Sequence, residues 1–541
     1  MSPIPALVRA TLATVVATAF SQAFAAPLSE VPNPNPKLAG FTAPNTLSPE
    51  LRESAVASGA QRVENPSNGF EFYGFSSDGP HVAAPGAVPS AGAVIEATRT
   101  EPDKNTYLVL HGLHGADPSY NYGTHFLYQG HENAAGGHGY LTRINLDADG
   151  EHRVTVLATQ DSTGASLPLI DGSTWNPWAH RLLFTAEGNG TTTGGVWQST
   201  PDLPAVTQDL LGVFGRGGFE GIQTDPAGNI WIVEDIGGST VAGARVANSF
   251  IYRFVPKNRF DLTRGGKLQA LQVQKLDHSG PIAFNAADAL TADIKALHTY
   301  GNAFDTRWVT VHDTDTDGTA VFNANALAKA ANATPFKRPE NGQFRPGTRF
   351  GEFYFDETGD TSATTTAGSD FGGFGGVFKL AQGSPSANGG KLTLLFKGDL
   401  QHTSFDNVAF WDADHAMFVE DRGDGLHAQA NALDSAWLLD VRKDYANSSN
   451  QPVRILAQGR DALATIDSAF LGAPGFQNDG DNELTGLHVS NGDPGLDGLL
   501  GAQVPRVFRD GWRVFYTQQH GENNTWEILP NTADEDRHDR D

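Results

Sequence analysis

The chain has 541 residues, 37 of them basic and 62 acidic, a formal charge of −25, and no cysteine. The missing cysteine excludes disulfides, zinc–thiolate sites, iron–sulfur clusters and thiol nucleophiles. A field of this sign repels nucleic acid and anionic membranes, and it repels phosphate esters too unless strong positive charge, such as bound metal, is held locally.

Residues 1–25 read as a secretory signal peptide. Arg9 precedes an apolar stretch from Ala10 to Phe20, and Ala23-Phe24-Ala25 fits a small-residue cleavage site. The apolar run is too short for a stable membrane anchor. A single arginine in place of a twin-arginine pair predicts export of an unfolded chain, to the periplasm or beyond, where calcium is at hand. Residues 26–104 read as an N-terminal linker or strap followed by first strands, with Pro, Ala, Ser and Asn crowding 26–60.

From 105 to 530 short β-branched and aromatic runs alternate with Gly/Asp/Asn turns, as in Tyr107-Leu-Val-Leu, Ile230-Trp-Ile-Val and Arg513-Val-Phe-Tyr. This pattern predicts an all-β domain: sandwich, barrel or propeller. Helices are expected at 286–297, 321–332 and 428–434, and insertions at 281–345 and 425–480 are expected to cap one face. Residues 531–541 read as a charged, disordered tail.

An internal repeat selects among the all-β folds. Phe219-Glu220-Gly221 opens a run that closes on Val233-Glu234-Asp235. Phe405-Asp406-Asn407 opens a run that closes on Val419-Glu420-Asp421, and the two align without a gap. A hairpin used more than once in a chain of this length indicates radial blades, here about six. Glu220 and Asp406 each follow an aromatic residue and open a strand. In a propeller the innermost strands line the central channel, so acids at this position converge on one axis. Glu340 and Glu483 stand similarly before other strand pairs. Such a group needs a hard cation to neutralise it, and calcium accepts six to eight oxygen ligands. The Glu234-Asp235 and Glu420-Asp421 pairs are expected to close blade turns, with calcium binding the alternative. Trp175 and Trp178 are expected to pack. Leu110-His-Gly-Leu-His-Gly115 is taken as a strand-end turn, and no nucleophile elbow is present.

A series of short motifs, in order over roughly 105–530, resembles the PhoX family of bacterial alkaline phosphatases. Tyr128-Gln-Gly-His131-Glu132-Asn133 is similar to its Asn-His-Glu segment. Thr174-Trp-Asn-Pro-Trp178 with Thr185-Ala186-Glu187 is similar to its Thr-Pro-Trp-Gly-Thr and Thr-Cys-Glu-Glu. Gly218-Phe-Glu220-Gly221 resembles its His-Glu-Gly, and Ala333-Thr-Pro-Phe-Lys-Arg338-Pro-Glu340 its Thr-Pro-Met-Asp-Arg-Pro-Glu, the sharpest match. Phe405-Asp406-Asn407, Asp481-Asn-Glu483-Leu-Thr-Gly486 and Gln519-His520-Gly-Glu522 complete the series.

The resemblance implies a propeller with a central metal cluster that cleaves phosphate monoesters by metal-assisted displacement. It implies calcium as cofactor, with several ions. Glu132, Glu187, Glu220, Glu340, Glu483, Asp406 and Asn407 become the expected metal ligands, and Arg338 the phosphate-gripping residue. Arg338, Glu340 and His131 become the expected catalytic set, His131 standing between ligand, base and core histidine. His520 is read as structural. The chain departs from the family at Ala186, where the iron-bridging cysteine belongs, and at Gly188, where a second acid belongs. Without the thiolate, iron loses its softest ligand. The expected partner is a small phosphate ester, with no nucleic acid, no membrane after signal removal, and a monomeric state. Two other readings stand beside this one: another calcium propeller hydrolase (a lactonase or phytase-like esterase), and a non-catalytic propeller in which calcium pins the blades.

Overall fold

The computed structural model describes residues 28–32, 45–59, 61–67, 70–74, 100–132, 139–361, 366–422, 426, 429–430, 432–458, 483–519 and 523–531. The expected signal peptide at 1–25, Asn133, Asp481, Asn482, His520, Glu522 and the expected tail beyond 531 lie outside these residues, as do much of 425–480 and part of the expected 428–434 helix.

The local signals act as expected. In the repeated hairpin, Asp225 accepts from Ala227 N at 2.8 Å and Asn229 N at 3.0 Å. Its counterpart Asp412 accepts from Asp414 N at 2.7 Å and His415 N at 2.9 Å. Each aspartate therefore folds its own turn and sets the register of the strands beside it. The helices are short. Ala292–Leu297 is capped by Thr291 and Ala324–Ala330 by Asn323.

The strands form a six-bladed β-propeller. The innermost strands, in blade order, are Pro102–Val109, Ser173–Asn176, Phe219–Thr224, Gly342–Phe344, Phe405–Phe410 and Glu483–Ser490. Each blade continues outward as an antiparallel meander. Neighbouring inner strands are in contact around the whole circle, the sixth meeting the first. The outer edges of blades three and four are joined: Ala303–Asp313, inside the expected 281–345 insertion, pairs with Gly266–Val273 on one side and Gly389–Lys397 on the other.

Closure of the ring uses the N-terminal region. Leu51–Ala57 pairs with Asn524–Pro530 and is the outermost strand of blade six. Asn45–Leu47 adds an outer strand to blade five. A blade built from both ends of the chain leaves the propeller no free seam. Between blades lie separate apolar clusters, such as Trp231, Trp308, Phe344 and Phe353 between three and four, and Tyr107, Leu127, Ile144 and Phe515 between six and one. Burial of these interfaces holds the inner strands, and whatever they carry, at fixed positions around the axis. No helix of the described residues is long and apolar enough to cross a membrane.

Candidate metal centre

The inner strands share a device that the sequence repeat only hints at. In blade three the register slips between Phe219 and Ile222, so Glu220 and Gly221 bulge with no partner. Blade five slips between Phe405 and Val408, at Asp406 and Asn407. Blade one slips between Pro102 and Asn105, at Asp103 and Lys104. A bulge turns a side chain out of the ladder and toward the space in front of it. Asp171-Gly172 and Glu340-Asn341 stand at the same point just before the inner strands of blades two and four. Five blades thus open on an acid. In blade six the slip falls at Gly486 and Leu487, and its acid, Glu483, stands at the strand's first residue.

A second tier comes from the ends of the neighbouring strands. Glu132, Glu187, Asp235 and Asp421 each follow directly on the second strand of their blade. Carboxylate oxygens of Glu220, Asp235 and Glu340 lie within 4.8 Å of one another, as do those of Asp171, Glu187 and Glu220, and those of Asp103, Glu132 and Asp171. These linked triads run from blade one to blade four.

The expected turn role for the Glu-Asp pairs divides between their members. Glu234 accepts from Phe250 N, Tyr252 and Asn325. Glu420 accepts from Thr403 N and Ser435 N and pairs with Arg422 at 2.8 Å. Both glutamates close their blades, as expected. The aspartates after them do not. Asp235 belongs to the central acids, and Asp421 lines the same basin. Alternation along an extended strand sends consecutive side chains to opposite sides, so the pair had to split.

The acids open to solvent in a basin of about 440 Å³ lined by Glu187, Asp235, Gly237, Arg245, Arg338, Thr361 and Asp421. Arg338 is fastened there in a left-handed backbone conformation, φ 56°. Its Nε donates to Asp235 at 2.9 and 3.0 Å, its Nη2 donates to Asp235 Oδ2 at 2.6 Å, and Nη2 lies 3.4 Å from Glu340. Burial, reinforced by Asp171 and Glu340, pushes the Glu220 carboxyl well above its usual range. Burial and Asp235 do the same to Glu340. At the solvent-facing rim, Glu187 is pushed up to about 7 by loss of water around it and by Asp235. Burial, with Asp421 and Asp406 near it, raises Glu483.

The structure therefore brings Glu132, Glu187, Glu220, Glu340, Glu483 and Asp406 to one place. Asn407 joins them by donating to Asp406 at 2.6 Å. His131 does not join. Its ring nitrogens lie 3.0 Å from Thr100 and 2.9 Å from Thr142, its ring stacks on Tyr140, and burial lowers it to about 3. With both nitrogens engaged it is a neutral core histidine, not a base. Sequence reasoning missed Asp103, Asp171, Asp356 and Lys104. Lys104 is fully interior, donates to Leu487 O at 2.7 Å, and is lowered to about 8 by burial despite the pull of Asp406, Asp103, Asp356 and Asp171. The bulge that identifies Asp103 and Lys104 is visible only once the strands are paired.

The donor set fits a hard cation. All the converging ligand atoms are oxygens. Asp171 Oδ2, Asp356 Oδ2, Asp406 Oδ2 and Asn407 Oδ1 are buried with no hydrogen-bond partner. Orphaned oxygens facing other carboxylates are unfavourable without a cation between them, and calcium or magnesium suits oxygen-only sites.

The family model for alkaline phosphatase PhoX matches residues 242–428, a span that holds Arg338, Glu340, Asp406, Asn407 and Asp421. The PhoX of Pseudomonas fluorescens, solved in complex with vanadate, a transition state analogue, superposes with a TM-score of 0.53 over 93% of this chain and 98% of its own, at 11% identity. Residues 242–428 are of the PhoX type, and the whole chain has the PhoX fold. A family AA12 carbohydrate-active enzyme of Trichoderma reesei covers 91% of this chain and 98% of its own at 9% identity, with a TM-score of 0.32. No curated protein matches in sequence. Two departures from the PhoX pattern find structural counterparts. Ala186 is fully buried in the apolar cluster with Ile170, Phe184 and Trp197. At Gly188 an added Cβ would come within 2.4 Å of Gly194 N, so no side chain fits the PhoX acid's position.

Proposed function

We propose that the chain is an exported phosphatase that hydrolyses phosphate monoesters with the help of divalent cations, calcium first among them. The observation that carries this reading is Arg338 fastened at the solvent mouth of an oxygen-only group of carboxylates. The PhoX family match and the shared fold support it. Glu132, Glu187, Glu220, Asp235, Glu340, Asp406 and Glu483 would hold the ions. When bound, such ions supply positive charge for phosphate oxygens and acidify water.

The chain's own residues do the rest. Arg338 keeps its charge at alkaline pH and lines the basin while two of its nitrogens hold Asp235. The remaining edge of its fork is suited to a phosphate oxygen. Asp235 and Glu340 hold that fork in place, so little side-chain entropy is lost when a substrate arrives. The acid-rich rim favours esters whose charge is gathered at a single phosphate, since further anionic groups meet Glu187 and Asp421.

The test uses purified protein stripped with chelator and reloaded with calcium. Elemental analysis should find calcium, and phosphate should be released from p-nitrophenyl phosphate only after reloading. Release of no phosphate with calcium, magnesium or manganese would sink the proposal, and hydrolysis of a lactone instead would move the chain to another class of calcium propeller hydrolase.

A further inference from the structure

Arg245 is a second cation in the wall of the basin, beside Arg338. The Arg338 charge is already engaged, by Asp235 at 2.6 Å and by Glu340 at 3.4 Å. Arg245 differs. Its side chain is half-buried, and among the described residues no carboxylate lies within ion-pair distance of its guanidinium. An arginine that shares a wall with Glu187 and Asp421 yet pairs with neither is open to an incoming anion.

The chain builds a support for this side chain. Thr240–Val241 and Ala244–Arg245 form a hairpin, with Thr240 opposite Arg245. Its two turn residues, Ala242 at φ 53° and Gly243 at φ 83°, are both left-handed, as a tight two-residue turn requires. Val246 N donates to Ser239 O at 2.9 Å at the base. Ala244 and Val246 pack with Ala289, Phe284 and Leu290, inside the 281–345 insertion. Asp360 then ties the hairpin to the Arg338 segment. Its Oδ2 accepts from Arg245 N at 3.2 Å, and its Oδ1 pairs with Lys337 Nζ at 2.9 Å. Lys337 directly precedes Arg338, so one buried carboxylate fixes both arginine backbones. Gly237 leaves room for the guanidinium: a Cβ there would stand 2.8 Å from Arg245 Nη1.

We infer that Arg245 is a second phosphate-gripping residue, acting on the same phosphate group as Arg338. This rests on the phosphatase reading given above and extends it to a hairpin outside the motif that carries Arg338. A monoester offers three terminal oxygens, enough for two guanidinium groups and a cation. A guanidinium mounted on a braced hairpin gives up little freedom when the anion arrives.

The test uses calcium-loaded wild type, Arg245→Gln and Arg245→Lys. Binding of inorganic phosphate is read by titration calorimetry, and kcat and KM are read on p-nitrophenyl phosphate. Arg245→Gln should weaken phosphate binding and raise KM by about tenfold each, the loss of one charge-assisted contact. Arg245→Lys should recover part of both. Melting temperature and calcium content should match wild type in both variants, because the side chain is half-exposed and holds no carboxylate. Unchanged phosphate affinity in Arg245→Gln would overturn the inference. So would a loss of affinity accompanied by a lower melting temperature or less calcium, or one that Arg245→Lys leaves as large. Phosphate binding is measured whether or not ester is cleaved. A wild type that binds phosphate but hydrolyses no ester defeats the phosphatase reading alone, so the two failures are distinguishable.

Discussion

Arg338 and Asp235 form a bidentate pair at the mouth of the basin, with Nη2 2.6 Å from Oδ2 and Nε within 3.0 Å of both carboxylate oxygens. The arginine precedes blade four and the aspartate ends a strand of blade three, so the pair spans a blade interface. Replacing Arg338 by Ala removes the fork proposed to receive phosphate and releases Asp235 against Glu340. A drop of about a hundredfold in kcat/KM on p-nitrophenyl phosphate is expected, roughly 2.7 kcal/mol of lost transition-state stabilisation. Arg338→Lys should recover only part of it, because one ammonium cannot hold Asp235 and a phosphate with fork geometry.

Glu220, like Asp171, belongs to two of the three triads. Glu220→Gln removes one charge from a crowded group. The metal-free protein should melt higher than wild type, because repulsion is relieved. The rise in melting temperature on adding calcium should shrink, because a ligand is lost. Differential scanning calorimetry with and without calcium checks both signs.

Stability of the metal-free protein should fall as pH rises. The Glu187 carboxyl, ordinarily near 4.5, is pushed up to about 7 in the fold, and burial raises Glu220, Glu340 and Glu483 as well. Below the ordinary value both folded and unfolded chains are protonated and nothing is lost. Above it the folded chain retains protons that the unfolded chain gives up. Each such group then favours unfolding, and for Glu187 the loss is complete once pH passes about 7. Melting curves in chelator from pH 4 upward, repeated in calcium, test this, and calcium should flatten the decline.

Glu420 and Arg422 form an ion pair with both side chains fully buried, away from the basin. Arg422→Met leaves Glu420 without its cation and should cost about 3–5 kcal/mol of stability by denaturant titration. Calcium content should not change, since Glu420 spends its oxygens on Thr403 N, Ser435 N and Arg422.

Much of this was legible in the chain. The gapless repeat of Phe219–Asp235 on Phe405–Asp421 revealed radial blades because each hairpin is a local unit whose aspartate folds its own turn. Glu220, Glu340 and Asp406 were visible because their neighbours repeat or match short motifs. His131 misled because its motif and neighbour Glu132 look functional, whereas its partners Thr100 and Thr142 come from another segment and another strand. Asp103 and Lys104 were missed because a bulge is a property of pairing, not of either strand alone.

The amino-acid order by itself determined the strand periodicity, the turns, the all-β class and the surplus of acids without a thiol, since each depends on residues close along the chain. Only the tertiary structure decided that Leu51–Ala57 closes blade six, that Asp235 and Asp421 turn to the axis while Glu234 and Glu420 turn away, and that buried Lys104 reaches the carbonyl of Leu487 in blade six. Those facts depend on which side of a strand faces a neighbour hundreds of residues distant, and ring closure, not local preference, sets that geometry.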